Sequence, residues 1–148
     1  MNINELKKLS GIPLSDPSEL LYHVTQTNKI SSIIKNGLSP MQTSNWIETG
    51  NKNRYGDGEI YAFEHELDAY RWAGRMDWEF FKKTGSGKIS IVEFLHGEQP
   101  WEQDHNDPLS QYSRKGRWLK SIHGVPASQI IKSYPFTSEM AQKLVGAF

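Results

Sequence analysis

The sequence contains no cysteine, and this absence excludes several kinds of chemistry. Without a thiol the chain forms no disulfide, offers no thiolate nucleophile and builds no zinc site from cysteines. No stretch approaches the roughly 20 apolar residues that a membrane-spanning helix requires. The amino-terminal segment MNINELKKLSG also lacks the apolar core of a signal peptide. We therefore expect a cytoplasmic protein without membrane contact, and leave export without a cleaved signal open.

Net charge is absent as well. Lysine plus arginine and aspartate plus glutamate each number 17, so the formal net charge at pH 7 is zero. A neutral chain has no long-range attraction for nucleic acid, and any such contact would need a local basic patch. With 148 residues, we expect one domain spanning residues 1–148.

Several motifs of known enzyme classes are missing too. The chain has no G-x-x-x-x-G-K-[ST] loop and no G-x-G-x-x-G that opens a helix after a strand, which excludes the common nucleotide-binding loops. The segment TGSGK at 84–88 precedes a strand instead and predicts a turn. The absence of G-x-S-x-G excludes a serine hydrolase with a nucleophile elbow.

One segment is rich in residues that can bind metal ions, but their spacing fits no known metal site. We interpret this segment as a solvated acidic loop and predict no metal. Its residues of this kind are His96, Glu102, Asp104, His105 and Asp107.

Alternating apolar residues between turn formers predict five β-strands. They cover residues 20–25, 59–64, 87–94, 116–122 and 129–136. Helical spacing and capping residues predict four helices, at residues 2–11, 27–37, 65–85 and 137–148. Long loops are expected at 41–58 and 96–113. Because helices alternate with strands only in the first half, the pattern favours an α+β fold over a doubly wound parallel sheet.

Two of the predicted helices have a recognisable apolar stripe. In the second helix the stripe consists of Ile30, Ile33, Ile34 and Leu38. In the third helix it consists of Leu67, Tyr70, Gly74, Trp78 and Phe81. We expect the third helix to pack on the sheet through this face.

Four residues point to a binding site. His23 interrupts the apolar strand LYHVT, so its imidazole is either satisfied in the interior or faces a ligand. Tyr61 on a strand and Tyr70 on the next helix could form a slot for a flat ring, although each alone fits a hydrophobic core. In SRKGRWLK, Arg117 points opposite to Trp118 and could bind phosphate through two hydrogen bonds. A charged edge strand is the alternative.

Taken in order, three segments resemble the motifs of the ADP-ribosyltransferase superfamily, which includes the tRNA 2'-phosphotransferases and nucleic-acid-modifying toxins. They are LYHVT with NKISSIIKNGLSP, then GEIYAFEHELDAYRWA, then SRKGRWLKSIHGVPASQI. Together they cover most of residues 20–132. The resemblance implies an ADP-ribosyltransferase-like split β-sheet core with flanking helices.

The resemblance also implies a site for NAD as substrate. His23 would hydrogen-bond a ribose hydroxyl, with Thr25 beside it. Tyr61 would occupy the centre of a His-Tyr-Glu arrangement, and Tyr70 would stack on the nicotinamide. We expect the imidazole of His23 and the phenol of Tyr61 to line one groove shaped for a dinucleotide.

The third member of that arrangement departs from the family pattern. Where the transferases carry a glutamate, the resemblance places Arg117, which we assign to phosphate or acceptor binding. The phosphotransferase branch lacks that glutamate too, but it carries a histidine where this chain has Tyr61. Glu93 or Glu102 could supply the carboxylate, and we include Glu93 among the predicted catalytic residues.

The predicted function is an NAD-dependent mono-ADP-ribosyltransferase that modifies a macromolecular acceptor, either protein or nucleic acid. Departure of neutral nicotinamide leaves a positive ribose, which the enzyme would stabilise by position and charge. Small size suits a bacterial or phage toxin, effector or counter-defence factor by analogy of fold. The alternatives are an RNA 2'-phosphotransferase-like enzyme and a non-catalytic module that binds a nucleotide or a partner.

Overall fold

The computed structural model describes residues 17–40, 58–84, 88–103 and 115–145. The helix predicted at 2–11 and most of the two predicted long loops lie outside the described residues. The strands are β1 Leu20–Gln26, β2 Ile60–Phe63, β3 Ile89–Leu95, β4 Glu102–Gln103, β5 Trp118–Ser121 and β6 Ile130–Pro135. The helices are α1 Ile30–Asn36, α2 Glu66–Thr84 and α3 Ser138–Gln142.

The strands form one six-stranded sheet in the order β4-β5-β2-β1-β3-β6, and every pairing is antiparallel. The predicted α+β class is therefore confirmed. All five predicted strands are present. The short β4 lies where the sequence predicted a loop. It was not predicted because two residues are too few to show an alternating pattern.

The pairing between the two central strands is short. β1 and β3 share seven registered pairs, whereas β1 and β2 share one, Tyr22 with Phe63. The sheet thus consists of two three-stranded halves, β4-β5-β2 and β1-β3-β6, that meet closely at one end. At the other end β1 continues beyond Tyr22 without a registered partner on β2, and this region is called the gap below.

The two faces of the sheet bury different hydrophobic clusters. Tyr22, Val24 and Phe63 belong to the face covered by α2, called the α2 face here. Leu21 and Ala62 belong to the opposite face, which α1 and the segment around Val125 cover. Since neighbouring residues on a strand point to opposite faces, these assignments fix the face of every other residue on β1 and β2.

Helix α2 packs on the sheet through a different stripe from the predicted one. Tyr70 is buried as expected, but Trp78 is 58% exposed. The buried stripe is formed by Ala69, Trp72, Ala73 and Met76. The small side chains of Ala69 and Ala73 allow the helix to approach the sheet closely. Trp78 lies outside this contact face.

Helix α1 follows β1 after a single 3-10 turn at Thr27–Lys29, and no side chain caps its beginning. Ile33 is buried, whereas Ile34, which the sequence placed on the same stripe, is 53% exposed. The helix ends at Gly37, as predicted, with a φ of 80°. A Cβ at this position would collide with the carbonyl oxygen of Val125, so glycine is required there.

The last helix begins as the sequence predicted. The Thr137 side chain accepts a hydrogen bond of 3.4 Å from the backbone N–H of Met140, which makes it the amino-terminal cap.

Candidate functional site

The gap between β1 and β2 is bridged by a side chain instead of by backbone. His23 Nδ1 lies 2.7 Å from the carbonyl oxygen of Tyr61. This bond satisfies a carbonyl that an uninterrupted antiparallel ladder would have paired with β1. One ring nitrogen of His23 therefore replaces a backbone hydrogen bond between β1 and β2 at the point where their registered pairing stops.

The partner of Nδ1 determines the tautomer of this histidine. A carbonyl oxygen can only accept, so Nδ1 carries the proton and donates it. Burial of the ring lowers the pKa of His23, and the charge of Lys29 acts in the same direction, against the hydrogen bond to Tyr61. The imidazole is therefore neutral at pH 7, and Nε2 carries a lone pair.

Nε2 is the part of His23 that remains for a ligand. Among the residues that the structure describes, the ring makes its hydrogen bond through Nδ1, and no second partner occupies Nε2. A neutral imidazole with Nδ1 protonated accepts hydrogen bonds at Nε2 and donates none there. The site therefore selects for a hydroxyl or an N–H group, and a ribose hydroxyl meets that requirement.

Tyr61 meets His23 through its backbone, and its ring lies on the other face of the sheet. Phe63 and Tyr61 are two residues apart on β2, so the phenol shares the α2 face, whereas His23 shares the face of Leu21. The sequence predicts that the two rings line one groove, but the structure places them on opposite faces of the sheet. A ligand that contacts both would have to reach both faces.

Beside the Tyr61 ring lies a carboxylate that the sequence analysis did not consider. Glu59 Oε1 is 3.4 Å from Tyr61 Oη, and Glu59 Oε2 is 3.6 Å from Lys120 Nζ. Lys120 is the registered neighbour of Tyr61 on β5, which places all three side chains on the α2 face. The i, i+2 spacing of Glu59 and Tyr61 on a strand was the available signal.

Two predicted cofactor-binding residues are buried. Thr25 lies on the His23 face and is 1% exposed. Tyr70 is 5% exposed, belongs to the α2-face cluster, and donates a 3.3 Å hydrogen bond to Glu66 Oε2. Tyr70 therefore packs within the core, and it does not form the open wall of a slot with Tyr61.

Glu93 is held on β3, away from the gap. Its carboxylate accepts a 3.0 Å hydrogen bond from Tyr134 Oη and lies 3.8 Å from Lys132 Nζ. Burial, followed by the bond to Glu93, raises the pKa of Tyr134, which therefore stays a donor. Because Tyr22 on β1 stands between β3 and β2, the structure does not bring Glu93 next to Tyr61.

Arg117 lies at the closed end of the β1–β2 junction and is bound to a carboxylate. Its Nε and one terminal nitrogen are 2.9 and 2.8 Å from the two oxygens of Glu64, and its backbone N–H donates to the same group at 2.7 Å. The fork predicted to bind phosphate is thus occupied by Glu64. The alternative of an edge strand is wrong, since β5 lies between β4 and β2.

At this closed end Glu64 and Arg117 stabilise each other's charge. Burial alone would raise the pKa of Glu64, but the hydrogen bonds from Arg117 outweigh it and hold that pKa below its usual value. The same bonds raise the pKa of Arg117. Burial and the neighbouring Glu64 raise the pKa of Glu19. The Glu64–Arg117 ion pair therefore has a structural role, because the hydrogen bonds of Arg117 occupy both oxygens of Glu64.

A second buried carboxylate stabilises the same end. Asp68 accepts hydrogen bonds of 2.9 and 3.1 Å from the backbone N–H of Lys115 and one of 2.9 Å from that of Gly116. Together with Glu64, it binds three consecutive backbone N–H groups before β5. The position of Arg117 is therefore fixed by its backbone as well as by its side chain.

The remaining predictions concern metal binding, the carboxylate of Glu102 and membrane-spanning helices. Within the described ranges, no set of three or more His, Cys, Asp or Glu side chains is arranged to hold a metal ion. Glu102, the other predicted source of a carboxylate, is exposed on β4 opposite Lys120. No helix in the described part of the chain is both long enough and apolar enough to cross a membrane.

Comparison with known proteins gives a likeness of fold. A solved structure named EcPltA superposes on this chain with a TM-score of 0.54 and 12% sequence identity, covering 83% of this chain and 78% of its own. At that identity the likeness extends to the fold alone. No protein-family model matches the sequence, and no curated protein matches it.

Proposed function

We propose that this chain is an NAD-dependent mono-ADP-ribosyltransferase with an ADP-ribosyltransferase-like split β-sheet core. Two features support the proposal besides the sequence motifs. The sheet consists of two halves that share one registered pair, as a split core requires. The residue at the start of the gap is His23, the position that the resemblance assigns to NAD.

The state of His23 carries the proposal. A neutral imidazole whose Nδ1 is bound to the Tyr61 carbonyl presents Nε2 as an acceptor. The ribose hydroxyls of NAD are donors that fit this acceptor, and the protein fixes the tautomer before the ligand arrives. Such preorganisation lowers the cost of ordering the site on binding.

The geometry also supports a route for the reaction. In this proposal the dinucleotide lies beyond the His23–Tyr61 bond, where β1 and β2 have no registered pairs, and contacts the His23 imidazole and the Tyr61 phenol from the two faces. The bond between ribose C1' and the nicotinamide nitrogen breaks, and its electron pair leaves with neutral nicotinamide. The positive charge that develops on the ribose is stabilised by nearby negative groups, and a nucleophile of the acceptor then binds C1' and loses a proton.

The acceptor in this proposal is a protein or a nucleic acid, as for a toxin, effector or counter-defence factor. RNA 2'-phosphate transfer receives less support, because Glu64 already occupies the Arg117 guanidinium. A non-catalytic nucleotide-binding module is a second candidate. It is favoured by the ion pair that holds Arg117 where the transferases have a glutamate, and it predicts thermal stabilisation by NAD without product.

The test is turnover of NAD by the folded chain. We expect the protein to bind NAD and to release nicotinamide, measured by chromatography, with water or an added macromolecule as acceptor. His23→Asn keeps a donor near the Tyr61 carbonyl but removes the Nε2 acceptor, so NAD affinity should fall roughly tenfold. His123→Asn, at an exposed histidine, is the matched control.

Four outcomes distinguish the candidates. Binding with nicotinamide release supports the transferase. Binding without release supports the non-catalytic module. Failure of the folded chain to bind millimolar NAD contradicts both, and formation of ADP-ribose 1'',2''-cyclic phosphate from 2'-phosphorylated RNA and NAD would favour the phosphotransferase.

A further inference from the structure

We propose that Glu59 is the catalytic carboxylate of this site, in place of the glutamate that the family pattern puts where this chain has Arg117. The inference rests on the proposed function, since it assigns a role in NAD cleavage. It is based on the contacts of Glu59 with Tyr61 on β2 and Lys120 on β5. Neither the sequence motifs nor the fold assigns a role to Glu59.

Glu59 is joined to the gap through Tyr61. The two residues are two positions apart next to and on β2, so their side chains share the α2 face with Cα atoms about 7 Å apart. Glu59 Oε1 lies 3.4 Å from Tyr61 Oη. The backbone carbonyl of Tyr61 in turn binds His23 at 2.7 Å, so Tyr61 contacts the acid through its phenol on the α2 face and the imidazole through its backbone.

Lys120 positions this carboxylate. Its Nζ lies 3.6 Å from Glu59 Oε2, and the lysine side chain is 20% exposed. This ion pair restricts the rotation of Glu59, so that the other oxygen stays beside the Tyr61 phenol.

The carboxylate is accessible and weakly held. The Glu59 side chain is 30% exposed. The preceding Gly58 has a φ of 87°, and within the described ranges no atom lies within 4 Å of where its Cβ would stand. Contacts of 3.4 and 3.6 Å exceed the usual hydrogen-bond range of about 2.7–3.2 Å, and a ligand can replace them at small cost.

Two other carboxylates near β1 and β2, those of Glu64 and Glu93, are bound to other partners. Glu64 binds Arg117 through both oxygens at 2.8 and 2.9 Å. Glu93 binds Tyr134 at 3.0 Å, lies near Lys132 and sits on β3. Of these three carboxylates, Glu59 is the one that contacts Tyr61.

The step that we assign to Glu59 balances as follows. As the bond from C1' to nicotinamide breaks, the electron pair leaves with nicotinamide, and the Glu59 carboxylate faces the positive ribose. The oxygen or nitrogen nucleophile of the acceptor then forms its bond to C1'. The proton that it loses passes to Glu59 and from there to water.

The experiment compares three glutamine variants, Glu59→Gln, Glu93→Gln and Glu139→Gln. Kcat for nicotinamide release and Kd for NAD, by titration calorimetry, are measured for each. We expect Glu59→Gln to lower kcat by about 100-fold or more, the usual size of a lost charge contact in a transition state, with Kd changed less than about threefold. Glu139→Gln, on exposed α3, should match the wild type.

Further variants separate a chemical role from a structural one. Glu59→Asp should retain more activity than Glu59→Gln because the charge remains. Lys120→Gln leaves the carboxylate but removes its ion-pair partner, so it should lower kcat less than Glu59→Gln does and leave the Kd for NAD nearly unchanged. Loss of a residue needed only for folding would not change the kcat of the folded protein.

The outcomes separate this inference from the proposed function. If the wild-type chain neither binds nor cleaves NAD, the proposed function fails and the inference with it. If the wild type cleaves NAD and Glu59→Gln is equally active, the inference alone is overturned. Loss of activity in Glu93→Gln with Glu59→Gln unaffected would return the role to Glu93.

Discussion

The two ends of the β1–β2 junction are built from the same strands but differ in how their polar groups are satisfied. At the closed end Tyr22 pairs with Phe63, and the carboxylate of Glu64 holds Arg117 through bonds of 2.7 to 2.9 Å. At the open end the short bond is that of His23, while Glu59 has contacts of 3.4 and 3.6 Å.

This difference separates stability from binding. Short, charge-assisted bonds to buried groups stabilise the fold and leave little capacity for a ligand. Long contacts between half-exposed groups contribute little stability and can be exchanged. We therefore expect substitutions at the closed end to lower the free energy of unfolding, and substitutions at the open end to act on NAD.

The largest loss of stability is expected at Asp68. Asp68→Ala leaves two partly buried backbone N–H groups, of Lys115 and Gly116, without this acceptor, at about 1–3 kcal/mol each. We expect the free energy of unfolding in urea to fall by about 3 kcal/mol, and Asp68→Asn, which keeps one acceptor oxygen, to lose less. A loss below about 1 kcal/mol for the alanine variant would contradict this view of the closed end.

The ion pair between Glu64 and Arg117 should come next. Glu64→Gln and Arg117→Met are each expected to cost about 2 kcal/mol, because hydrogen bonds to charged partners are lost. A double-mutant cycle should give a coupling energy above about 1 kcal/mol. Independent, additive effects of the two substitutions would argue against the pair.

The same pair has a defined pH dependence. The folded-state pKa of Glu64 lies below its ordinary value, so its stabilising effect is complete above the unfolded pKa and is lost as pH falls through the folded value. The wild type should therefore lose stability on acidification below about pH 4.5 more steeply than Glu64→Gln.

A smaller effect is expected from His23 near neutral pH. Its folded pKa lies below the ordinary 6.5, so the unfolded chain takes up a proton first as pH falls. Below about pH 6.5 the free energy of unfolding should decrease, by at most about 1.4 kcal/mol per pH unit from this group. His23→Asn should remove that slope and His123→Asn should keep it; an unchanged slope in His23→Asn would mean that His23 does not titrate as inferred.

The smallest effect on stability is expected at Tyr61. Its Oη lies 3.4 Å from Glu59, a weak contact, so Tyr61→Phe should change the free energy of unfolding by less than about 0.5 kcal/mol. A loss comparable to that of Asp68→Ala would remove the distinction between the two ends. Urea unfolding of both variants under one condition gives the comparison.

The strands and the helix ends could be predicted from sequence because their signals are local. Alternation identified five strands, and Gly37 and Thr137 marked helix ends through backbone geometry and capping. The packing face of α2 was predicted in part: Tyr70 is buried, but Trp78 is exposed. The prediction relied on large aromatic side chains, whereas alanines make the close contact with the sheet.

The candidate site was harder to predict because it depends on register. His23 was identified as the unusual residue of its strand, but its bond to the Tyr61 carbonyl joins residues 38 positions apart. Arg117 was assigned to phosphate because its partner Glu64 is 53 residues away in the sequence. The face of the Tyr61 ring, and with it the place of Glu59, followed from the packing of Phe63 on the α2 face and from the pairing of Tyr61 with Lys120.

The most direct test is the imidazole nitrogen spectrum of His23 during titration with NAD. In the free protein at pH 7 we predict a neutral ring with the proton on Nδ1 and a bare Nε2, assigned by comparison with His23→Asn. Added NAD should shift the Nε2 resonance of His23 and leave that of His123 unchanged. A charged ring, a proton on Nε2, or a His23 signal that does not respond to saturating NAD would contradict a dinucleotide site at the gap.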